Sequence, residues 1–359
     1  MSIDKVKRWI RPDVLATSAY HVQEATGLIK LDAMENPYPW PEEVKQGWLR
    51  CLADAELNRY PSADAATLKL KLKREFAIPD GAELLLGNGS DEIIQIIVQA
   101  VSAEHTVFLA PEPSFTMYEV IAGSARAGFA GIPLRQDFSL DLQAMLTAIR
   151  ELEPAVIFLA YPNNPTANLF DDRAMVEIIS QAPGIVVVDE AYHVFAGNSF
   201  LSRLTEFDNL LIMRTMSKLG LAGLRLGFLA GPAQWIREFD KLRLPYNINL
   251  LTQMSTSYIL DHVEILYEQA GKIRQDRDLL FRELQDMPGI TVWPSSTNFL
   301  LFRTESADSN RVFEDLREQG VLIKNLKNSH ALLRGCLRVT VGTEAENQAF
   351  LKALRKTLL

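Results

Sequence analysis

Two stretches of the chain are apolar without a break, Ala155-Val156-Ile157-Phe158-Leu159 and Ile185-Val186-Val187-Val188. Runs of this length and β-branched content fit strands buried on both faces. Further strand-like stretches occur at 83–86, 106–109, 126–132, 210–213 and 226–230. Between them, apolar residues recur every three or four positions, which predicts helices. Examples are Val44, Trp48, Leu49 and Leu52 in 42–52, and Leu68, Leu72 and Phe76 in 64–76. Others run through Ile93, Ile94, Ile97, Val98 and Val101, through Met117, Val120 and Ile121, and across 140–149 and 173–179. Strands alternating with helices predict an α/β fold, a mainly parallel sheet covered by helices on both faces.

Beyond Pro245 the pattern changes. Residues 250–284 read as one or more helices, and short strands follow at 291–293, 298–302, 321–324 and 337–341, with helices at 309–319 and 344–358. This predicts a smaller α+β domain. The first forty residues read as irregular, because Pro12, Pro37, Pro39 and Pro41 break any long helix, with a short strand at 29–33. Such an arm packs on another element or on a partner subunit. The expected division is an arm at 1–43, a large domain at 44–245 and a small domain at 246–359.

Composition narrows the chemistry only modestly. The chain has 359 residues, 48% hydrophobic and 23% charged, an ordinary globular mix. A net charge of -8 argues against a general nucleic-acid surface and leaves room for local basic pockets. Cys51 and Cys336 lie far apart without metal spacing, so reduced thiols in a cytoplasmic protein are expected. Five scattered histidines make no ligand cluster, and no metal is expected. The N-terminus has no apolar signal core, and no apolar run is long enough to span a membrane.

The candidate chemistry lies after the strands. Thr215-Met216-Ser217-Lys218-Leu219-Gly220 places a lysine among hydroxyls in a glycine-punctuated loop, with Arg225 just beyond. That is what a Schiff-base site for a phosphorylated aldehyde needs: the amine bonds the aldehyde, and hydroxyls with the arginine hold the phosphate. Gly87-Asn88-Gly89-Ser90-Asp91-Glu92 joins a strand to a helix N-terminus, a ready anion site. It lacks both the dinucleotide glycine spacing and the P-loop lysine. Asp189 follows apolar residues and is expected to be buried, hence to need a partner, such as a cationic ring nitrogen. Asn163 and Tyr192 are placed to bond a ring hydroxyl, and Phe115 to stack on the ring.

Taken in order, these segments resemble the fold-type I pyridoxal-phosphate aminotransferases of class II, and specifically the histidinol-phosphate aminotransferase family. The resemblance covers nearly the whole chain. It is carried by Leu31-Asp32-Ala33-Met34-Glu35-Asn36-Pro37-Tyr38-Pro39, Arg59-Tyr60-Pro61, the Gly87 to Glu92 turn, Tyr161-Pro162-Asn163-Asn164-Pro165-Thr166, Asp189-Glu190-Ala191-Tyr192, the lysine loop and Arg338-Val339-Thr340-Val341-Gly342-Thr343. It implies a large domain with a mainly parallel seven-stranded sheet sandwiched by helices, and pyridoxal 5'-phosphate as cofactor. It implies that Lys218 binds the cofactor and moves the substrate proton, that Asp189 pairs with the pyridine nitrogen, and that Asn163 and Tyr192 contact the ring oxygen. Gly89, Ser90, Asp91, Thr215, Ser217 and Arg225 would surround the phosphate, with Tyr60 donated by the second subunit of a homodimer. Tyr20, Asn36, Lys324 and Arg338 would face the substrate, Arg338 taking the carboxylate of glutamate. The implied reaction exchanges an amino group between histidinol phosphate and 2-oxoglutarate.

The chain departs from the family pattern at several positions. Its lysine loop is one residue shorter, Met34 stands where asparagine is usual, Ala167 replaces a glycine, and Phe115 replaces a tyrosine. Lys324 stands where a second arginine is common, and a lysine cannot form a bidentate fork. Related readings are an aromatic amino acid aminotransferase or a phospho-amino-acid decarboxylase on the same scaffold. A non-catalytic ligand-binding module is disfavoured by intact Lys218 and Asp189.

Overall fold

The computed structural model describes residues 3–19, 23–305, 307–327 and 329–358. Its centre is a seven-stranded sheet. In spatial order the strands are Ala82–Gly87, Gly227–Pro232, Leu210–Thr215, Ile185–Asp189, Val156–Ala160, Val107–Glu112 and Gly128–Pro133. Neighbours are parallel except at Gly227–Pro232, which runs antiparallel to both of its partners.

The unbroken apolar runs are explained by two cores. Successive side chains of a strand point to opposite faces. Ile157, Leu159, Val186, Val188, Leu210 and Ile212 enter one buried cluster, while Val156, Phe158, Ile185, Val187, Leu211 and Met213 enter the other. Each face is covered by helices, so neither set can be polar.

A four-stranded antiparallel sheet forms the second layer of the molecule, in the order Lys324–Asn325, Cys336–Thr340, Phe299–Thr304 and Ile290–Val292. The predicted helical stretch after Pro245 is two helices, Leu250–Leu260 and Glu264–Gln285. Three differences from the sequence reading stand out. The first forty residues carry two short helices, Ile3–Trp9 and Pro12–Ala16, the second with Pro12 in its first turn, where the missing N–H is no loss. Ala233–Asp240 is an additional helix that closes over one end of the sheet. The strand expected at 29–33 is only Ile29–Lys30, paired in parallel with Val321–Leu322.

From there the arm runs as a strap. Leu31 is buried; its carbonyl accepts from Thr340 N (2.8 Å), and the Met34 carbonyl accepts from Asn298 Nδ2 (3.0 Å). The strap thereby ties the small sheet to the lysine loop.

Candidate active site

Strand register brings the chemistry to one edge. Ala160 pairs with Asp189, Asp189 with Met213, and Thr215 with Gly227, which in turn faces Gly87. The carboxyl ends of four strands therefore finish together, the usual ligand position in such sheets. Close approach of backbones makes a glycine necessary at Gly227, where a Cβ would lie 2.9 Å from the Gly89 carbonyl carbon and 3.0 Å from Ser90 N.

A cavity of about 360 Å3 opens at this edge, and Gly89, Ser90, Asp91, Phe115, Asp189, Tyr192, Thr215, Ser217, Lys218 and Arg225 all line it. Ten of the expected site residues, drawn from positions 89 to 225, thus share one wall. Lys218 reaches across it to the Ala33 carbonyl (3.0 Å), with its ammonium 5.9 Å from the centre of the Tyr192 ring. Burial, followed by the positive charge of Arg338 and Arg225, pushes the lysine down to about 8 against the pull of Glu35. An amine with that affinity for protons is about a tenth neutral near pH 7, a far larger nucleophilic fraction than an ordinary lysine keeps.

Asp189 is 5% exposed, and burial pushes its carboxyl up to about 6. Two donors pull the other way: Tyr118 Oη to Oδ2 (2.7 Å) and Ala191 N to Oδ1 (3.1 Å). Its neighbour Glu190 turns away from the cavity to a buried pair with Arg214 (2.7 Å). Burial also raises the Tyr192 phenol, so that it stays protonated and can donate.

The opposite end of the cavity is built for an anion. The helix Ser90–Val101 begins there, and its first N–H groups have no partner within the helix. Ser217 Oγ accepts from Thr215 Oγ1 (3.0 Å) and from Arg225 (3.5 Å), and Arg225 stands 3.8 Å from Asp91. Gly89 has φ 80°, and a Cβ there would meet Arg225 at 2.7 Å, so only glycine leaves this cradle open. A phosphorylated aldehyde fits: donors at one end, an amine in the middle and a carboxylate opposite.

A second recess of about 170 Å3 adjoins the cavity and shares Met34, Phe115 and Asn164 with it. Arg338 and Lys324 line this recess rather than the cavity itself. Arg338 is held by Asn164 Oδ1 (2.5 Å) and the Asp32 carbonyl (3.0 Å).

Other expected residues are placed differently. Asn163 lies away from the cavity wall. It is fully buried, and its amide donates to the Pro113 carbonyl (2.9 Å) and Thr166 Oγ1 (2.7 Å) while accepting from Ser114 (2.7 Å). The next residue, Asn164, lies in the turn that follows the strand and lines both spaces. Asn36 also misses the wall: its amide donates to Gln269 Oε1 (2.8 Å) and the Leu219 carbonyl (3.4 Å), bracing the strap on the lysine loop. Tyr60 is 80% exposed and stacks on Tyr246 at 4.5 Å, and does not line this chain's own cavity. Tyr20 lies outside the described residues. Two contributors had no signal in the sequence, the Ala33 carbonyl and the Tyr118 hydroxyl, because each reaches the site only through packing.

The fold and the site together define an aminotransferase. The chain belongs to the aminotransferase class I and II family, which it matches over residues 26–354. Within that family it is 53% identical over 355 residues to histidinol-phosphate aminotransferase 2 of Nitrosococcus oceani, covering 99% of both chains. It is 50% identical to histidinol-phosphate aminotransferase 1 of Ralstonia nicotianae, covering 99% of this chain and 96% of that one. Its fold is similar to the crystal structure of histidinol-phosphate aminotransferase from Sinorhizobium meliloti in complex with pyridoxal-5'-phosphate. The TM-score is 0.86 at 21% identity, over 98% and 97% of the two chains.

Proposed function

We propose that the chain carries out the pyridoxal-phosphate-dependent transfer of an amino group between histidinol phosphate and 2-oxoglutarate, giving imidazole acetol phosphate and glutamate, in L-histidine biosynthesis. The observation that carries this reading is the joint presence of Lys218, Asp189 and the phosphate cradle on one cavity, in a chain about half identical, along its whole length, to proteins of that name. Bound pyridoxal phosphate supplies an electron sink that stabilises negative charge at the substrate's α-carbon.

The chain's own residues do the rest. Lys218 Nζ would hold the cofactor and, once released, would carry the proton from the substrate's α-carbon to the cofactor's C4′ carbon, and in the opposite direction in the second half-reaction. Asp189 would face the ring nitrogen and favour its protonated form. Tyr192 and Asn164 are placed to bond the ring oxygen, and Phe115 to lie against the ring. Ser90, Ser217, Arg225 and the helix N-terminus hold the phosphate, with Thr215 orienting Ser217 and Asp91 orienting Arg225. Arg338 and Lys324 line the recess that takes the substrate's anionic group, Arg338 as a fork and Lys324 as a point charge. The exposed pair of Tyr60 and Tyr246, with Leu57 and Leu244 both 73% exposed, supports a homodimer in which Tyr60 enters the second subunit's site. The division at residues 43 and 245 and a cytoplasmic location belong to the same reading; among the described residues no helix is long and apolar enough to cross a membrane.

The test is the absorption of the reconstituted protein with histidinol phosphate, glutamate or phenylalanine. The expected result is a yellow band that bleaches with histidinol phosphate at far lower concentration than with phenylalanine. Bleaching best with phenylalanine moves the substrate to aromatic amino acids, and no band at all overturns the role of Lys218.

A further inference from the structure

We propose that the Tyr118 hydroxyl is a positioning group that keeps Asp189 ionised and its carboxylate fixed in the plane where a cofactor ring nitrogen meets it. This rests on the reading of the cavity as a pyridoxal phosphate site.

The argument starts from the isolation of Asp189. Among the described residues, no ion pair of this chain involves Asp189, whereas Glu190 beside it has Arg214. A buried carboxylate without a cation is strongly disfavoured unless hydrogen bonds replace water. Asp189 has two such bonds, one on each oxygen and from different elements. Ala191 N serves Oδ1 from its own chain segment, while Tyr118 Oη serves Oδ2 from the helix Met117–Ser124, 71 residues earlier. Each oxygen keeps lone-pair capacity for one more donor.

The Tyr118 donor cannot swing away. The ring is fully buried and stacks on Phe158 with centroids 4.6 Å apart and planes 6° from parallel. Phe115 closes its other side edge-on at 5.5 Å. Phe158 belongs to the strand paired with that of Asp189, in register with Val187. Ring and carboxylate are thus aligned by the sheet itself. The other ionisable groups around Asp189 are Glu190 and Tyr192 on its own segment, Asp91 on the helix Ser90–Val101, and Lys218 and Arg225 on the loop across the cavity. None of them is a hydrogen-bond donor to it in the structure, so the hydroxyl has no substitute.

Removal of the hydroxyl leaves one oxygen without its donor and raises that oxygen's affinity for a proton. A proton shared with the ring nitrogen then shifts toward the carboxylate. The chosen variant is Tyr118→Phe in the full chain, which keeps both ring contacts. Loss of a charge-assisted bond predicts about tenfold or greater weakening of pyridoxal phosphate retention. It also predicts that the 15N resonance of ring-labelled cofactor moves from its protonated position toward the neutral one. Phe158→Leu keeps the hydroxyl but loosens the stack that aims it; it should lower Tm and move the 15N resonance in the same direction, by less than Tyr118→Phe does. In an Asp189→Asn background, Tyr118→Phe should produce no further 15N shift. Wild-type retention and an unmoved 15N resonance in Tyr118→Phe would overturn the proposal while leaving the cofactor site intact. Wild-type protein that takes up no cofactor overturns the cavity reading and this inference together.

Discussion

The two walls of the active site are built in opposite ways. The cofactor wall comes from strand ends of one sheet, with Asp189, Thr215 and the Gly87 turn brought level by register. The wall of the adjoining recess is a meeting of distant segments: the strap at Met34, Asn164 from the turn after Val156–Ala160, and Lys324 and Arg338 from the small sheet. On the first wall, buried charge is tuned by burial and one or two donors. On the second, Arg338 is held by a strap carbonyl and an asparagine from another layer. The residues proposed for the cofactor thus sit on rigid, locally encoded elements, and those proposed to face the substrate sit where relative placement of layers decides geometry.

The sharpest break of this contrast is Lys218→Ala. It removes both nucleophile and proton carrier, so turnover should fall by about 10^4-fold or more while Tm stays within a few degrees. Retained turnover would dissolve the distinction between the walls. Next comes Arg338→Lys, which keeps the charge and loses the fork. We expect KM for the anionic substrate to rise by roughly tenfold with kcat less affected. An equal fall in kcat at unchanged KM would put Arg338 with the cofactor wall instead.

The adjacent asparagines separate the two roles further. Asn164→Ala should reduce kcat/KM, measured by steady-state kinetics, with little loss of stability. Asn163→Ala leaves Ser114, Thr166 and the Pro113 carbonyl without their buried partner and should lower stability by about 1–3 kcal/mol in denaturant melts. If Asn163→Ala proves the more harmful to catalysis at full stability, the assignment of Asn164 is reversed.

A gentler probe is pH. With Lys218 lowered to about 8, its neutral fraction grows as pH rises through that value. The rate of cofactor uptake by the cofactor-free protein should therefore rise by about tenfold between roughly pH 7 and 9 and level off above. A midpoint near the ordinary lysine value would show that burial does not depress it. The smallest effect is expected at Ala167, whose φ of 65° puts a methyl in the left-handed region, where the family's usual glycine has no such strain. Ala167→Gly should change stability by about 1 kcal/mol or less, because relief of strain is offset by chain entropy.

Much of this was legible in the residue pattern. Continuous apolar runs marked the central strands because both faces of that sheet are covered. Asp189 and Lys218 announced themselves as polar groups at the ends of such runs. The Gly89 turn was readable because its backbone conformation demands glycine. That Asn164 lines the cavity and Asn163 does not turned on a single step in a non-repetitive turn, where period alone gives no phase. Asn36 lies off the wall for a related reason: its motif was visible, but its direction depends on where the helix Glu264–Gln285 presents Gln269.

The order and kind of elements, the candidate lysine and the buried aspartate follow from local rules, hydrophobic period and the cost of burying charge, which any stretch of chain carries within itself. The donor that holds Asp189, the carbonyl that meets Lys218 and the meeting of Arg338 with Asn164 were decided only in three dimensions. Each joins residues 71 to 185 positions apart, across layers whose separation and rotation are set by packing of the whole chain.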